Sequence, residues 1–575
     1  MPKGGFMKYS VLVILAISFG LAIDVARAPK VEAVGIVETE APNVFKANFL
    51  KNSKPILSDH PEPRIIDTIP DPSSTMGTEG KNIIFAEDGQ NIAVIYGRSS
   101  GNPENIHRVF VAYSTDLGNT WIRYGPISTS DARRVYPGLD AEQNWSDTLD
   151  LRVHFAWHQA VRHGGNYRPS PAFYSKDVSY PDGMITAALQ LPNSEERDVW
   201  IPCIGVNDSF VIITATNMGT FRTTYNCYIW RSTDYGETWD TGRVFVPGPL
   251  DWNGGPHFRF GSDGYMFFLW NRYEPGFDRY WSYFCESFDY GLTWTQPQLI
   301  WQDNPPYPNM SEVTSWRHCY DCEVVRDTPV ATIKFSRGIY DYGEIWVYRP
   351  DSGGPGNWRF KGTKLVGGDS TVPQTHARYP TVASDDDGNA YIGYQGYLVI
   401  PGDTVCDCGL FVRPANQDTW LDYGRCTFNG DSIEEYFLEF AHNAPIVRDS
   451  VIIGMIYQDE SSYPEPLLLY FDYYKIQRPG IQELTSNLIS KFKIEATPNP
   501  FRNQLIFSYP KSNGVSLEIF DVSGRMVYKG NLSGQSQSIN WDGRNLAGSP
   551  VAAGVYFYKL CFDKDLAIGK VVKSK

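Results

Sequence analysis

The stretch Ser232-Thr233-Asp234-Tyr235-Gly236-Glu237-Thr238-Trp239 decides the reading of this chain, because its pattern S-x-D-x-G-x-T-W occurs three times. It returns as Ser114-Thr115-Asp116-Leu117-Gly118-Asn119-Thr120-Trp121 and as Ser287-Phe288-Asp289-Tyr290-Gly291-Leu292-Thr293-Trp294. Asp and Ser side chains cap the backbone of tight turns, Gly accepts positive φ, and Trp plugs an apolar layer beneath. Each copy predicts a stapled hairpin turn. A pattern repeated at intervals predicts an architecture of similar stacked units.

Working outward, a turn built on Asp and a small residue precedes an apolar, β-branched or aromatic strand seven times, at Asp88, Asp150, Asp208, Asp263, Asp327, Asp387 and Asp449. The interval is about 60 residues, slightly more than a four-stranded blade usually takes. Trp121, Trp239 and Trp294 follow their Asp turns by 33, 31 and 31 residues. The same offset from Asp327 and Asp387 lands on Trp358 and Trp420, in altered copies of the pattern. Tyr174-Ser175-Lys176-Asp177 stands near the equivalent place in the second unit, and the seventh lacks the Trp. The expectation is an all-β chain, with a seven-bladed β-propeller over residues 79–477 followed by a small Ig-like β-sandwich.

The three full copies resemble the Asp-box, the bacterial neuraminidase repeat, whose turns are structural: Ser114, Asp116, Gly118 and Trp121; Ser232, Asp234, Gly236 and Trp239; Ser287, Asp289, Gly291 and Trp294. The resemblance implies a sialidase-like propeller. Sialidases hold a substrate carboxylate with three arginines and use a Tyr nucleophile with a Glu partner and an Asp acid/base. Two departures stand against carrying that site over. The Phe-Arg-Ile-Pro motif before the first blade is missing, with Pro63-Arg64-Ile65-Ile66 a faint echo, and sialidases are six-bladed. No residue is therefore assigned as catalytic.

The 575 residues, 14 % of them aromatic, with 51 Gly and 39 Pro, fit many short strands joined by turns. A formal net charge of -14 argues against nucleic acid or an anionic membrane as partner. Residues 1–28 read as a signal peptide: Lys3 and Lys8 precede the apolar run Val11 to Ala22, and Ala26-Arg27-Ala28 offers small residues at cleavage spacing. No transmembrane anchor is expected in the mature chain. The nine cysteines include Cys319-x-x-Cys322 and Cys406-x-Cys408, potential zinc half-sites with His318 adjacent. Strand geometry points the two members of a C-x-x-C apart, so disulfides or buried thiols are preferred, and no metal or cofactor is expected.

Residues 29–78 form a lead-in that can donate one strand to close a ring, and residues 478–493 read as a linker. Residues 494–575 carry Thr497-Pro498-Asn499-Pro500-Phe501, Leu517-Glu518-Ile519-Phe520-Asp521-Val522-Ser523-Gly524-Arg525, Trp541-Asp542-Gly543-Arg544 and Gly554-Val555-Tyr556-Phe557-Tyr558. That order of motifs resembles the type IX secretion C-terminal sorting domain, type A. It implies export through the periplasm to the cell surface or medium, with the secretion machinery as a partner.

Aligned on the Asp turns, Glu79, Trp200, His318, Arg378 and Asn443 stand at comparable entries to the inner strands, with Arg134, Asp198, Asp251, His376 and His442 close by. Indole, guanidinium, imidazole and carboxylate groups around one channel mouth suit a sugar, by stacking on the pyranose and pairing its charges. Polar residues also line any wet channel. The reading is an exported propeller that binds glycan or another extracellular polymer. A sialidase-like exo-glycoside hydrolase and an extracellular protein-interaction scaffold are the alternatives.

Overall fold

The computed structural model describes residues 63–69, 81–99, 107–128, 135–142, 152–159, 170–217, 226–246, 257–274, 279–301, 306, 313–337, 343–367, 377–400, 403–415, 417–425, 435–459, 467–479, 495–521, 526–546, 548–562 and 565–574. For some strand residues, His318 and Arg378 among them, only the backbone is described. The signal-peptide reading of residues 1–28 lies outside these residues. The chain divides into two compact units between Gly480 and Ile481.

Short β-branched and aromatic runs between turns favour strands. Among the described residues the one α-helix is the single turn Ser194–Arg197. Before Gly480 the described strands form seven antiparallel sheets. Six take four consecutive strands each: Ile83–Phe85 through Ile122–Tyr124, Gly138–Ala141 through Leu189–Gln190, Val199–Asn207 through Arg243–Val246, His257–Phe260 through Gln298–Leu299, Val313–Val325 through Arg359–Val366, and Arg378–Ser384 through Leu421–Arg425. The seventh sheet joins Glu435–Phe440, Ser450–Asp459 and Leu467–Gln477 to the early strand Arg64–Ile69. The first strand of each sheet neighbours the first strand of the next, and the seventh sheet meets the first, so the unit is an all-β propeller ring.

Closure is chemical as well as topological. Arg64–Ile69 runs antiparallel to Leu467–Gln477 as the outer strand of the last sheet, while its buried Asp67 binds the first sheet. The Asp67 carboxylate accepts from Tyr96 Oη at 2.9 Å and from Arg123 Nη1 at 2.7 Å. One short strand thus ties both ends of the ring, and it covers an edge that would otherwise be open to pairing.

The repeated octapeptide lies between the third and fourth strands of its sheet, and its three copies are nearly superimposable in hydrogen bonding. Ser114 Oγ donates to Asp116 Oδ1 at 2.8 Å and accepts from Gly118 N at 2.8 Å, while Thr120 N donates to the same carboxylate at 2.8 Å. The equivalent distances are 2.7, 2.8 and 2.9 Å around Asp234, and 2.9, 2.8 and 2.8 Å around Asp289. Gly236 has φ +80, and a Cβ there would sit 1.9 Å from Tyr174 Oη of the preceding sheet, so any other residue is both strained and crowded.

The tryptophans share one environment. Trp121, Trp239, Trp294, Trp358 and Trp420 each pack, partly buried, into the apolar layer between their own sheet and the one before it. Trp121 meets Phe471 of the seventh sheet edge-on at 5.4 Å, and Trp239 meets Tyr174 of the second at 4.8 Å. These are the layers in which apolar area leaves water and the blades cohere.

The second unit is a separate β fold around Trp541, Phe507, Leu517, Ile519 and Leu560. Its strand Leu505–Phe520 pairs with Glu495–Thr497 at one end and with Gly554–Phe562 at the other, the register breaking between Ser508 and Ser512. The described strands of this unit form one five-stranded sheet, and the break lets the two halves of the long strand take different partners.

Candidate functional site

The innermost strands of a propeller bring side chains from every blade to one axis. Here strands that are otherwise apolar, such as Phe258-Arg259-Phe260 and Tyr320-Asp321-Cys322-Glu323-Val324, place charged residues on the axial face. Lys81, from the start of the first sheet, crosses the channel. Its Nζ donates to Asp321 Oδ2 of the fifth sheet at 2.5 Å, to Thr381 Oγ1 and the Val382 carbonyl of the sixth at 3.2 Å, and to the Phe440 carbonyl of the seventh at 3.3 Å. His257 Nδ1 of the fourth sheet lies 3.2 Å from Asp321 Oδ1. Burial works against the Asp321 carboxylate, but Lys81, His257 and Arg259 outweigh it and hold the group far below the usual carboxylate range.

Glu439 stands beside this centre in the opposite electrostatic condition. One carboxyl oxygen accepts from Asn82 N, and the other has no hydrogen-bond partner among the described residues. Burial pushes its pKa up to about 8, against the opposing pull of Lys81, so the acid is largely neutral at pH 7. Further towards the Asp turns a second polar layer follows. Arg259 Nε is 3.5 Å from Glu323, and His442 Nε2 is 3.2 Å from Asp140, whose carboxylate also accepts from Val206 N at 2.8 Å. Burial raises the Glu323 carboxyl. Asp140 is lowered, because His442 and Arg259 more than offset its burial.

At the other end of the axis, where the inner strands begin, an aromatic cluster stands. The partly exposed Trp200 indole lies over the buried His158 ring at 4.4 Å and meets Tyr136 edge-on at 5.2 Å. His158 Nδ1 accepts from Ile201 N at 3.2 Å, which fixes the imidazole under the indole. Asp198, just before this strand, accepts from Ser170 N at 3.0 Å and has φ +49.

The residues expected at the channel mouth separate accordingly. Trp200 and Asp198 stand together at the start of the third sheet. His442 joins the polar layer at the opposite end of the axis. Both amide atoms of Asn443 are taken up by the Phe85 backbone, so this side chain ties the seventh sheet to the first. His318 lies on Val313–Val325 within the register break between Ser315 and Tyr320, and Arg378 begins the sixth sheet. Glu79, Arg134, Asp251 and His376 lie outside the described residues. Alignment on the Asp turns missed Lys81, Asp140, His257, Arg259, Asp321, Glu323 and Glu439. The available signal was a charge inside an apolar inner strand.

Other readings of the sequence meet specific chemistry. Cys203, Cys227, Cys285 and Cys322 are free, buried thiols, and burial pushes Cys203 up to about 11. In the acidic run, Asp385 accepts from Asn389 and Tyr391, and Asp387 pairs with Arg478, so these carboxylates staple a blade turn. Tyr283 and Glu274 form a hydrogen-bonded Tyr–Glu pair on the fourth sheet. Tyr283 Oη donates to Glu274 at 2.8 Å and accepts from Arg272 Nη2 at 2.7 Å. Burial and then Glu274 raise that phenol well above its ordinary range, which opposes a phenolate nucleophile.

Residues 496–574 match the family model of the secretion system C-terminal sorting domain. The tail is a sorting domain. It marks the chain for export to the cell surface or the medium, and among the described residues no helix is long and apolar enough to cross a membrane. A comparison with curated proteins finds no match. Among solved structures the chain is similar to an ulvan lyase, a polysaccharide lyase, at 10 % identity over 73 % of this chain and 96 % of that one, with a TM-score of 0.47. It is also similar to an α-L-arabinofuranosidase from Fusarium graminearum, at 9 % identity over 73 % and 98 % of the two chains, TM-score 0.38. A Trypanosoma rangeli sialidase follows at 10 % identity over 87 % of each, TM-score 0.34.

Proposed function

We propose that this exported propeller binds glycan or another extracellular polymer at the mouth where its inner strands begin. The observation that carries the reading is the Trp200 indole, partly exposed there and backed by His158 and Tyr136. A rigid aromatic face at a channel mouth suits a pyranose ring, whose C–H groups stack on the indole at little entropic cost. Export by the sorting tail supplies the setting in which such a polymer is met.

The test is a glycan array and polysaccharide pull-down with the full chain, followed by Trp200→Ala on any ligand found. Binding that weakens roughly fivefold in the variant, with melting temperature retained, is the expected result, since one aromatic stack contributes about 1 kcal/mol. No binding across the array, or binding indifferent to Trp200, overturns the proposal.

The second reading, a glycoside hydrolase, is favoured by one observation: the carboxyls of Glu439 and Asp321 are driven apart in pKa, as an acid and a base are in such enzymes. Against it, Glu439 is fully buried and Asp321 is only 2 % exposed. Turnover of an aryl glycoside or sialoside that is abolished by Glu439→Gln would establish the hydrolase reading.

A further inference from the structure

Between the fifth and sixth sheets, on the Asp-turn side, three cationic side chains gather with little neutralising charge among the described residues. In the sixth sheet Arg413 occupies the position of the octapeptide's first serine, and it replaces the lost staple by donating from Nη1 to the Gln417 carbonyl at 3.4 Å and from Nη2 to the Gly388 carbonyl at 3.3 Å. It is only 5 % exposed, and its Nε is buried with no hydrogen-bond partner among the described residues. On the facing sheet, Arg349 continues the line of Ile345 and Val347 that packs against the sixth sheet, and its Nε is likewise buried and unsatisfied. Directly opposite Arg349 on the next strand stands Lys361, which puts a second like charge on the same face.

Among the described residues one ion pair reaches these three cations. Asp418 is 3.8 Å from Arg349 and fully exposed, so water screens it strongly. Asp422, on the adjoining strand of the sixth sheet, accepts from Gly424 N. Burial, and then the neighbouring Arg349, drive the Arg413 guanidinium down to about 10. Like charges opposed across a strand pair, and buried guanidinium N–H groups without acceptors, both cost stability in the empty crevice. A bound oxyanion with several acceptor oxygens would relieve both at once.

We infer that this crevice binds a small oxyanion, a sulfate or phosphate group that is either free or carried on a polymer, between Arg349, Lys361 and Arg413. The site is independent of the aromatic mouth, because it lies on the opposite face of the ring.

The experiment follows the melting temperature of the full chain against sodium sulfate and sodium phosphate, with chloride at matched ionic strength as the reference, and then measures binding of sulfated and unsulfated dextran. A saturable rise specific to sulfate or phosphate is expected. Arg349→Gln with Lys361→Gln leaves the Arg413 turn intact and weakens that binding tenfold or more, because a charge-assisted hydrogen bond contributes about 1.5–3 kcal/mol. Asp418→Asn strengthens it by removing the competing carboxylate. Sulfated dextran binding that follows the same variants assigns a polymer-borne group, and a response confined to the free ions assigns a free anion. Absence of a specific, saturable effect, an unchanged effect in the double variant, or weaker binding in Asp418→Asn overturns the inference.

Discussion

Lys81 holds the axis. Its ammonium is the shared partner of a carboxylate, a hydroxyl and two carbonyls contributed by three other sheets, and it is 3 % exposed. Lys81→Ala leaves the Asp321 carboxylate buried beside a void, and breaking such a pair from one side costs about 3–5 kcal/mol. Denaturant unfolding should report that loss, and Lys81→Met combined with Asp321→Leu should recover part of it, because no charge is then stranded. Glu439 gives the same centre a pH dependence of defined sign. Its folded pKa of about 8 lies above the ordinary glutamate value of 4.5, so its contribution is fully present below pH 4.5 and is lost as pH rises through 8. Glu439→Gln keeps the shape of the neutral acid. Its melting temperature should exceed that of the parent at pH 9 and fall less steeply between pH 6 and 9.

At the scale of the element, the octapeptide turn divides its work between capping and close approach. Ser232 and Asp234 satisfy backbone N–H groups at an exposed turn, whereas Gly236 lets the turn touch Tyr174 of the neighbouring sheet. Ser232→Ala should therefore cost about 1 kcal/mol, the usual value of one such hydrogen bond. Gly236→Ala should cost more, about 1–3 kcal/mol, because it adds both a clash and an unfavourable φ. Thermal melts of the two variants rank them, and an equal effect would mean that the contact between sheets matters little. The turns were legible in the sequence because every partner lies within eight residues. The Arg413 staple was not, since a long side chain reaching two carbonyls leaves no pattern in local sequence.

For the whole molecule, the closing strand Arg64–Ile69 decides whether the ring is stable. Asp67→Ala removes the acceptor for Tyr96 and Arg123 while leaving the backbone pairing to Leu467–Gln477 intact. Hydrogen exchange should then quicken in the first and seventh sheets and remain unchanged in the third to fifth, with which the strand does not pair. Uniformly faster exchange in all seven sheets would instead make the ring one cooperative unit, with no local role for the closure.

The recurrence of Asp turns, the constant offset to tryptophan and the motif order of the tail were determined by sequence alone, because each rests on residues adjacent in the chain. The polar axis was decided only by tertiary structure. Lys81 and Asp321 are 240 residues apart and Asn443 and Phe85 are 358 apart, so their meeting depends on the ring having closed. A residue's place on an inner strand can be read from local alternation, but its partner across the channel is fixed by how many sheets curl around the axis and at what tilt. That geometry converts Asn443 from a candidate ligand group into a bridge between sheets, and makes charged residues inside apolar strands the centre of the fold.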